Sequence, residues 1–146
     1  MKYLFIISAA ALIAIGCNET NAGKTGNATE VTTDDPATLT TIQWIDSVKN
    51  FGKINEGQQL QVSFRFKNTG DRPLVIKSVR PGCGCTVADP PSEPIQPGAE
   101  GVINASFNSQ GREGLNKKEI FVDANTKNTQ HHVLHFDVEV VKAGKE

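Results

Sequence analysis

Between Leu60 and Lys67 apolar and polar residues alternate without a break. Leu60, Val62, Phe64 and Phe66 fall on one side, and Gln61, Ser63, Arg65 and Lys67 on the other. In an extended chain successive side chains point to opposite faces, so the octet reads as a strand with one buried and one wetted face. Residues 102–107 repeat the pattern with Ile103, Ala105 and Phe107 inward, and 134–140 repeat it with Leu134, Phe136 and Val138 inward. Weaker strand candidates are 42–48, 74–79 and 118–124. Asn68-Thr69-Gly70-Asp71, Pro81-Gly82 and Pro97-Gly98 supply turns between them. The proline-rich run 89–94 is no central strand, because proline has no ladder donor. No amphipathic helix stands out after residue 16. Strands with one apolar face need a second layer to cover it. About a hundred residues with some seven short strands therefore predict an all-β, antiparallel, immunoglobulin-like sandwich over 41–142, with a disordered tail at 143–146.

The segment before it is of another kind. A charged start, Met1-Lys2-Tyr3, precedes an apolar run over 4–16. The run is shorter than the roughly 20 apolar residues that span a bilayer and has the layout of a secretory signal. Ala14-Ile15-Gly16-Cys17 resembles a bacterial lipobox. That resemblance implies removal of 1–16, lipidation of Cys17 and anchoring in the cell envelope, on the periplasmic or outer surface of a bacterial membrane. Residues 18–40 are dominated by Asn, Thr, Gly and Asp, with Val31 and Leu39 as the large aliphatics. Such a segment buries too little apolar surface to offset its ordering entropy. As a flexible chain it would hold a domain about 25–30 Å from the anchor, so 17–40 is expected to be a lipidated tether. The Asn-x-Thr sites at Asn18 and Asn27 are read as chance in a bacterial-type chain.

Charge excludes some partners. The chain carries 15 basic and 16 acidic residues, and loss of Lys2 with the signal leaves a slightly acidic protein. Such a balance offers no basic surface for nucleic acid.

Of the three cysteines, Cys17 is assigned to lipid. Cys83 and Cys85 remain in an exported protein, where disulfides persist. On a straight strand their Cα atoms would lie about 6.5–7 Å apart, so a bridge needs a bend, which Gly84 permits. Three roles stay open for the pair: a locally fixed structural element, a thiol-redox pair, or soft ligands for Cu(I) or Zn(II). His131, His132 and His135 are the other metal-type ligands. At strand spacing His131 and His135 are about 13 Å apart, so the cluster reads as a polar outer face and not as a metal site. No Ser-His-Asp arrangement, phosphate loop or catalytic carboxylate pair stands out. Gly111-Arg112-Glu113-Gly114 reads as an exposed connection, and Arg65 and Arg80 as single charges.

The order of the pieces is familiar. Phe51-Gly52-Lys53-Ile54, Phe64-Arg65-Phe66-Lys67-Asn68-Thr69-Gly70, Leu74-Val75-Ile76, Pro81-Gly82-Cys83-Gly84-Cys85-Thr86 and Pro94-Ile95-Gln96-Pro97-Gly98 together resemble the domain of unknown function 1573 family over about 45–125. The resemblance implies an exported, often lipid-anchored bacterial protein with an immunoglobulin-like fold. Similar sandwiches in pilus-chaperone-like and major-sperm-protein-like domains mostly bind other proteins. The expected function is a non-enzymatic, membrane-tethered interaction module with an envelope protein as partner and no cofactor. The alternative is a thiol-redox or soft-metal protein working through Cys83 and Cys85.

Overall fold

The computed structural model describes residues 36–142 and Gly144. The expected signal peptide, Cys17, the expected tether as far as residue 35 and the rest of the expected tail lie outside the described residues. After a short 3-10 turn at Pro36–Thr38 come eight strands: β1 (Ile42–Trp44), β2 (Val48–Asn55), β3 (Gln59–Asn68), β4 (Ile76–Pro81), β5 (Thr86–Asp89), β6 (Glu100–Asn108), β7 (Gly114–Ala124) and β8 (His131–Val141). They form two four-stranded sheets, β1-β3-β6-β5 and β2-β8-β7-β4.

The alternation seen in the sequence sets what lies between the sheets. Val62, Phe64 and Phe66 of β3 and Ile103, Ala105 and Phe107 of β6 face Ile120 and Val122 of β7 and Leu134, Phe136 and Val138 of β8, all buried. Phe107 and Phe136 meet edge to face across the layers with ring centroids 5.9 Å apart, a favoured aromatic geometry.

Three features differ from the expected sandwich. There are eight strands rather than about seven, and one pair is parallel. Residues 42–48 do not form one strand. The N–H groups of Ile45 and Asp46 both reach the carbonyl of Arg65, and the Asp46 carboxylate takes the Arg65 Nε at 2.9 Å. The chain turns around Arg65 at this point and changes sheet, so β2 runs parallel to β8. The edge strand β5, just before the proline run, is the additional one.

The folded contacts also begin before Thr41. Thr40 is fully buried; its N–H donates to the Asn125 carbonyl at 2.9 Å and its hydroxyl to Asn68 Oδ1 at 2.9 Å. The side-chain amide of Asn125 donates to the carbonyls of Thr38 and Pro73. A polar Thr-rich run looks like tether in sequence, but here two buried asparagines give it hydrogen-bond partners.

Candidate functional site

The site grows from the crossing between β4 and β5. β4 ends at Pro81, and the chain passes from one sheet to the other through Gly82-Cys83-Gly84-Cys85. Gly82 N–H donates to the Glu119 carbonyl of β7 at 2.9 Å. A Cβ on Gly82 would lie 3.3 Å from that oxygen, so glycine allows the close approach. On the other side the Cys85 carbonyl accepts from Asn108 N–H of β6 at 2.9 Å, and Thr86 N–H closes the loop onto the Cys83 carbonyl.

Within this loop Cys83 and Cys85 are joined by a disulfide with Cα atoms 5.3 Å apart, inside the range that a bridge tolerates. The two sulfurs differ in surroundings. Cys85 is 8% exposed and belongs to the core, while Cys83 is partly exposed and only packs against it. The Thr86 hydroxyl, itself buried, lies 3.6 Å from Cys83 Sγ and 4.0 Å from Cys85 Sγ.

Beside the loop, the outer face of the β2-β8-β7-β4 sheet forms an open trough of about 510 Å³. Its walls include Cys83, Lys117 and Glu119 from the loop and β7, His135 and Asp137 from β8, and Val48 from β2. β7 pairs with β8 from residue 114 to 123, yet with β4 only from residue 120 onward. Residues 114–119 therefore present an edge that no described strand covers, touched by Gly82 at Glu119. Because the Glu119 carbonyl points to that side, strand alternation turns the backbone groups of Lys117 and Leu115 the same way.

The histidines separate by face. His131 and His135 lie outward, as the alternation implied. Each faces a carboxylate at its register position on β7: His131 Nδ1 is 2.6 Å from Asp123 Oδ1, and His135 Nδ1 is 3.7 Å from Glu119 Oε1. Asp123 also accepts from the Ser78 hydroxyl at 2.6 Å and from Arg80 Nη2 at 3.1 Å. These partners, led by Ser78 and His131, hold its carboxyl down at about 2. Arg80 and Arg65, single charges in the sequence, thus each have a carboxylate partner.

His132 points inward instead. It accepts the Trp44 Nε1 proton on Nδ1 at 3.3 Å and sits 2.9 Å from Thr126 Oγ1 through Nε2. This network assigns a neutral ring protonated on Nε2. Burial, and then the charge of neighbouring His131, hold its pKa below the ordinary histidine value. Among the described residues no three His, Cys, Asp or Glu side chains gather as a metal site.

Cys83 and His135 thus meet in one trough, whereas His131 belongs to the Asp123 cluster and His132 to the core margin. Sequence reasoning passed over Thr86, although it completes the Cys-Gly-Cys-Thr step, and over Glu119 and Lys117, which carry no local signal.

A family model described as a protein of unknown function, DUF1573, matches residues 42–140. The chain belongs to that family. The DUF1573 domain thus takes in β1 through nearly all of β8, including the disulfide loop and the trough. Among curated proteins none matches the sequence. Several solved structures share the fold. A protein of unknown function from Porphyromonas gingivalis W83 superposes with a TM-score of 0.64 at 17% identity, over 70% of this chain and 48% of that one. The present chain thus spans about half of that protein's length. The ASH/PapD-like domain 7 of human CEP192 gives 0.51 at 13% identity, over 75% and 89% of the two chains. The YadV chaperone gives 0.52 at 15% identity, over 72% and 54%. At such identities the likeness shows the fold alone, an immunoglobulin-like sandwich.

Proposed function

We propose that the chain is a lipoprotein of the bacterial envelope, held to a membrane through Cys17, whose DUF1573 domain binds another envelope protein. The observation that carries this reading is the outer face of the β2-β8-β7-β4 sheet. Phe121 and Val133 stand directly opposite each other there, 38% and 41% exposed, and Val48, 70% exposed, lies beside His135 on the same face. An apolar group rimmed by Arg80, Asp123, Glu119 and Lys117 has the mixed character of a protein-binding surface. The open edge of β7 at residues 114–119 adds backbone donors and acceptors that an extended partner segment can pair with. The tether then serves to hold that face clear of the bilayer.

The test is capture from detergent-solubilised envelope by the wild-type protein, by a Phe121→Glu/Val133→Glu variant and by Val102→Glu on the opposite sheet. A partner retained by wild type and Val102→Glu but lost by the double variant supports the reading. Equal capture by all three places the contact elsewhere and refutes it. Anchoring is tested separately: Cys17→Ala should abolish metabolic lipid labelling, and unchanged labelling would contradict the lipoprotein assignment.

A further inference from the structure

We propose that the Cys83–Cys85 disulfide is a thiol–disulfide exchange site that oxidises a dithiol of another exported polypeptide, with Cys83 as the sulfur attacked and Cys85 as the leaving group. This activity shares the open edge of β7 with the docking surface but requires none of Phe121, Val133 or Val48.

Access decides the direction. A thiolate attacks a disulfide sulfur through a mixed-disulfide intermediate, so which sulfur reacts depends on which can be approached. Cys83 lines the trough and opens to solvent, whereas Cys85 is 8% exposed and lies against the core. The incoming sulfur therefore bonds to Cys83 Sγ, and the electron pair of the Sγ–Sγ bond moves to Cys85 Sγ.

A thiolate formed at a buried position needs a hydrogen-bond donor. Thr86 supplies one: its buried hydroxyl lies within reach of both sulfurs and can turn toward whichever carries charge. Thr86 is a positioning residue for the leaving group. The second thiol of the substrate then attacks its own sulfur in the mixed disulfide and releases Cys83. The substrate leaves as a disulfide and its two protons pass to Cys83 and Cys85, so one disulfide and one dithiol exchange two electrons.

The loop is built to survive both states. Gly82 to Glu119, Asn108 to Cys85 and Thr86 to Cys83 are backbone hydrogen bonds that hold the loop alongside the bridge. A bridge closing so small a loop contributes little to the fold by chain entropy. The uncovered edge of β7 runs past Cys83, which suits a substrate cysteine on an extended segment.

The experiment uses the full chain in detergent in a Cys17→Ser background, so that only these two thiols count, with dithiothreitol as the probe reductant. Reduction, read by alkylation and mass, should be complete while circular dichroism is unchanged. With 5,5′-dithiobis(2-nitrobenzoate) as the probe oxidant, Cys85→Ser, which leaves Cys83, should react at least fivefold faster than Cys83→Ser. Thr86→Val should slow dithiothreitol reduction at least threefold, and Thr86→Ser should restore the rate. Reduction that occurs only together with unfolding overturns the proposal, as does a single-cysteine ratio below fivefold or an unchanged rate in Thr86→Val. The single-cysteine comparison stands even where Thr86→Val fails to fold.

Discussion

Replacing Asn68 with alanine should remove a large part of this domain's stability. Asn68 is fully buried at the end of β3. Its Oδ1 accepts from the Thr40 hydroxyl at 2.9 Å and Gly70 N–H at 3.1 Å, and its Nδ2 donates to the carbonyls of Arg72 at 2.7 Å and Ile95 at 2.8 Å. Every donor and lone pair of the amide is therefore used. Alanine leaves four groups without that partner, and a buried orphan costs about 1–3 kcal/mol. Water reaches the turn side more easily than buried Thr40, so the expected loss is about 3–5 kcal/mol in all. For a domain of this size that corresponds to a fall in Tm of roughly 15–30 °C. Asn68→Asp gives a sharper signature. It keeps the acceptors but turns a carboxylate toward the Arg72 and Ile95 carbonyls, which disfavours the charged form. Its folded pKa should rise above the unfolded value, so the variant should recover stability relative to wild type as the pH is lowered toward 4. Urea unfolding at pH 7 and pH 4.5, with Asn104→Ala on the exposed face of β6 as control, measures both effects. A loss below 1 kcal/mol for Asn68→Ala at an unchanged m-value, or no pH-dependent recovery in Asn68→Asp, would refute the reasoning.

Cys83→Ser/Cys85→Ser should lower the unfolding free energy by only about 1–2 kcal/mol, because the closed loop is so short; a non-cooperative urea transition would contradict this. Asp123 is held at about 2 against a usual 3.8, so its contribution is full above pH 3.8 and is lost as the pH falls through 2. Asp123→Asn should therefore show a flatter acid limb than wild type between those values in thermal scans, and an identical slope would count against the Ser78–His131–Arg80 cluster. Gly101→Ala should cost about 1–3 kcal/mol, since a Cβ there overlaps the buried Phe66 ring opposite it in register. Tolerance with an unchanged Tm would mean that the ring has room to move.

Some of this protein is written in local pattern. The period-two runs over 60–67, 102–107 and 134–140 specify β3, β6 and β8 and the inward set Phe64, Phe66, Ile103, Phe107, Leu134 and Phe136, because pleating alone assigns each side chain a face. The prolines after Asp89 exclude a central strand there for an equally local reason. The DUF1573 motif order was legible too, including Asn68-Thr69-Gly70 and Cys83-Gly84-Cys85-Thr86, though not what those residues touch. Tertiary structure alone decided the rest. Alternation cannot say which strand pairs with which, so the break of 42–48 around Arg65 and the parallel pairing of β2 with β8 arise from backbone hydrogen bonds between distant segments. The Trp44 and Thr126 partners of His132, the burial of Asn68, Thr40 and Asn125, and the different exposure of two cysteines only two residues apart depend on what the opposite sheet and the crossing loops bring near them. The trough has the same origin: it exists because β4 stops at Pro81 while β7 runs on beside β8, and no stretch of sequence contains both facts.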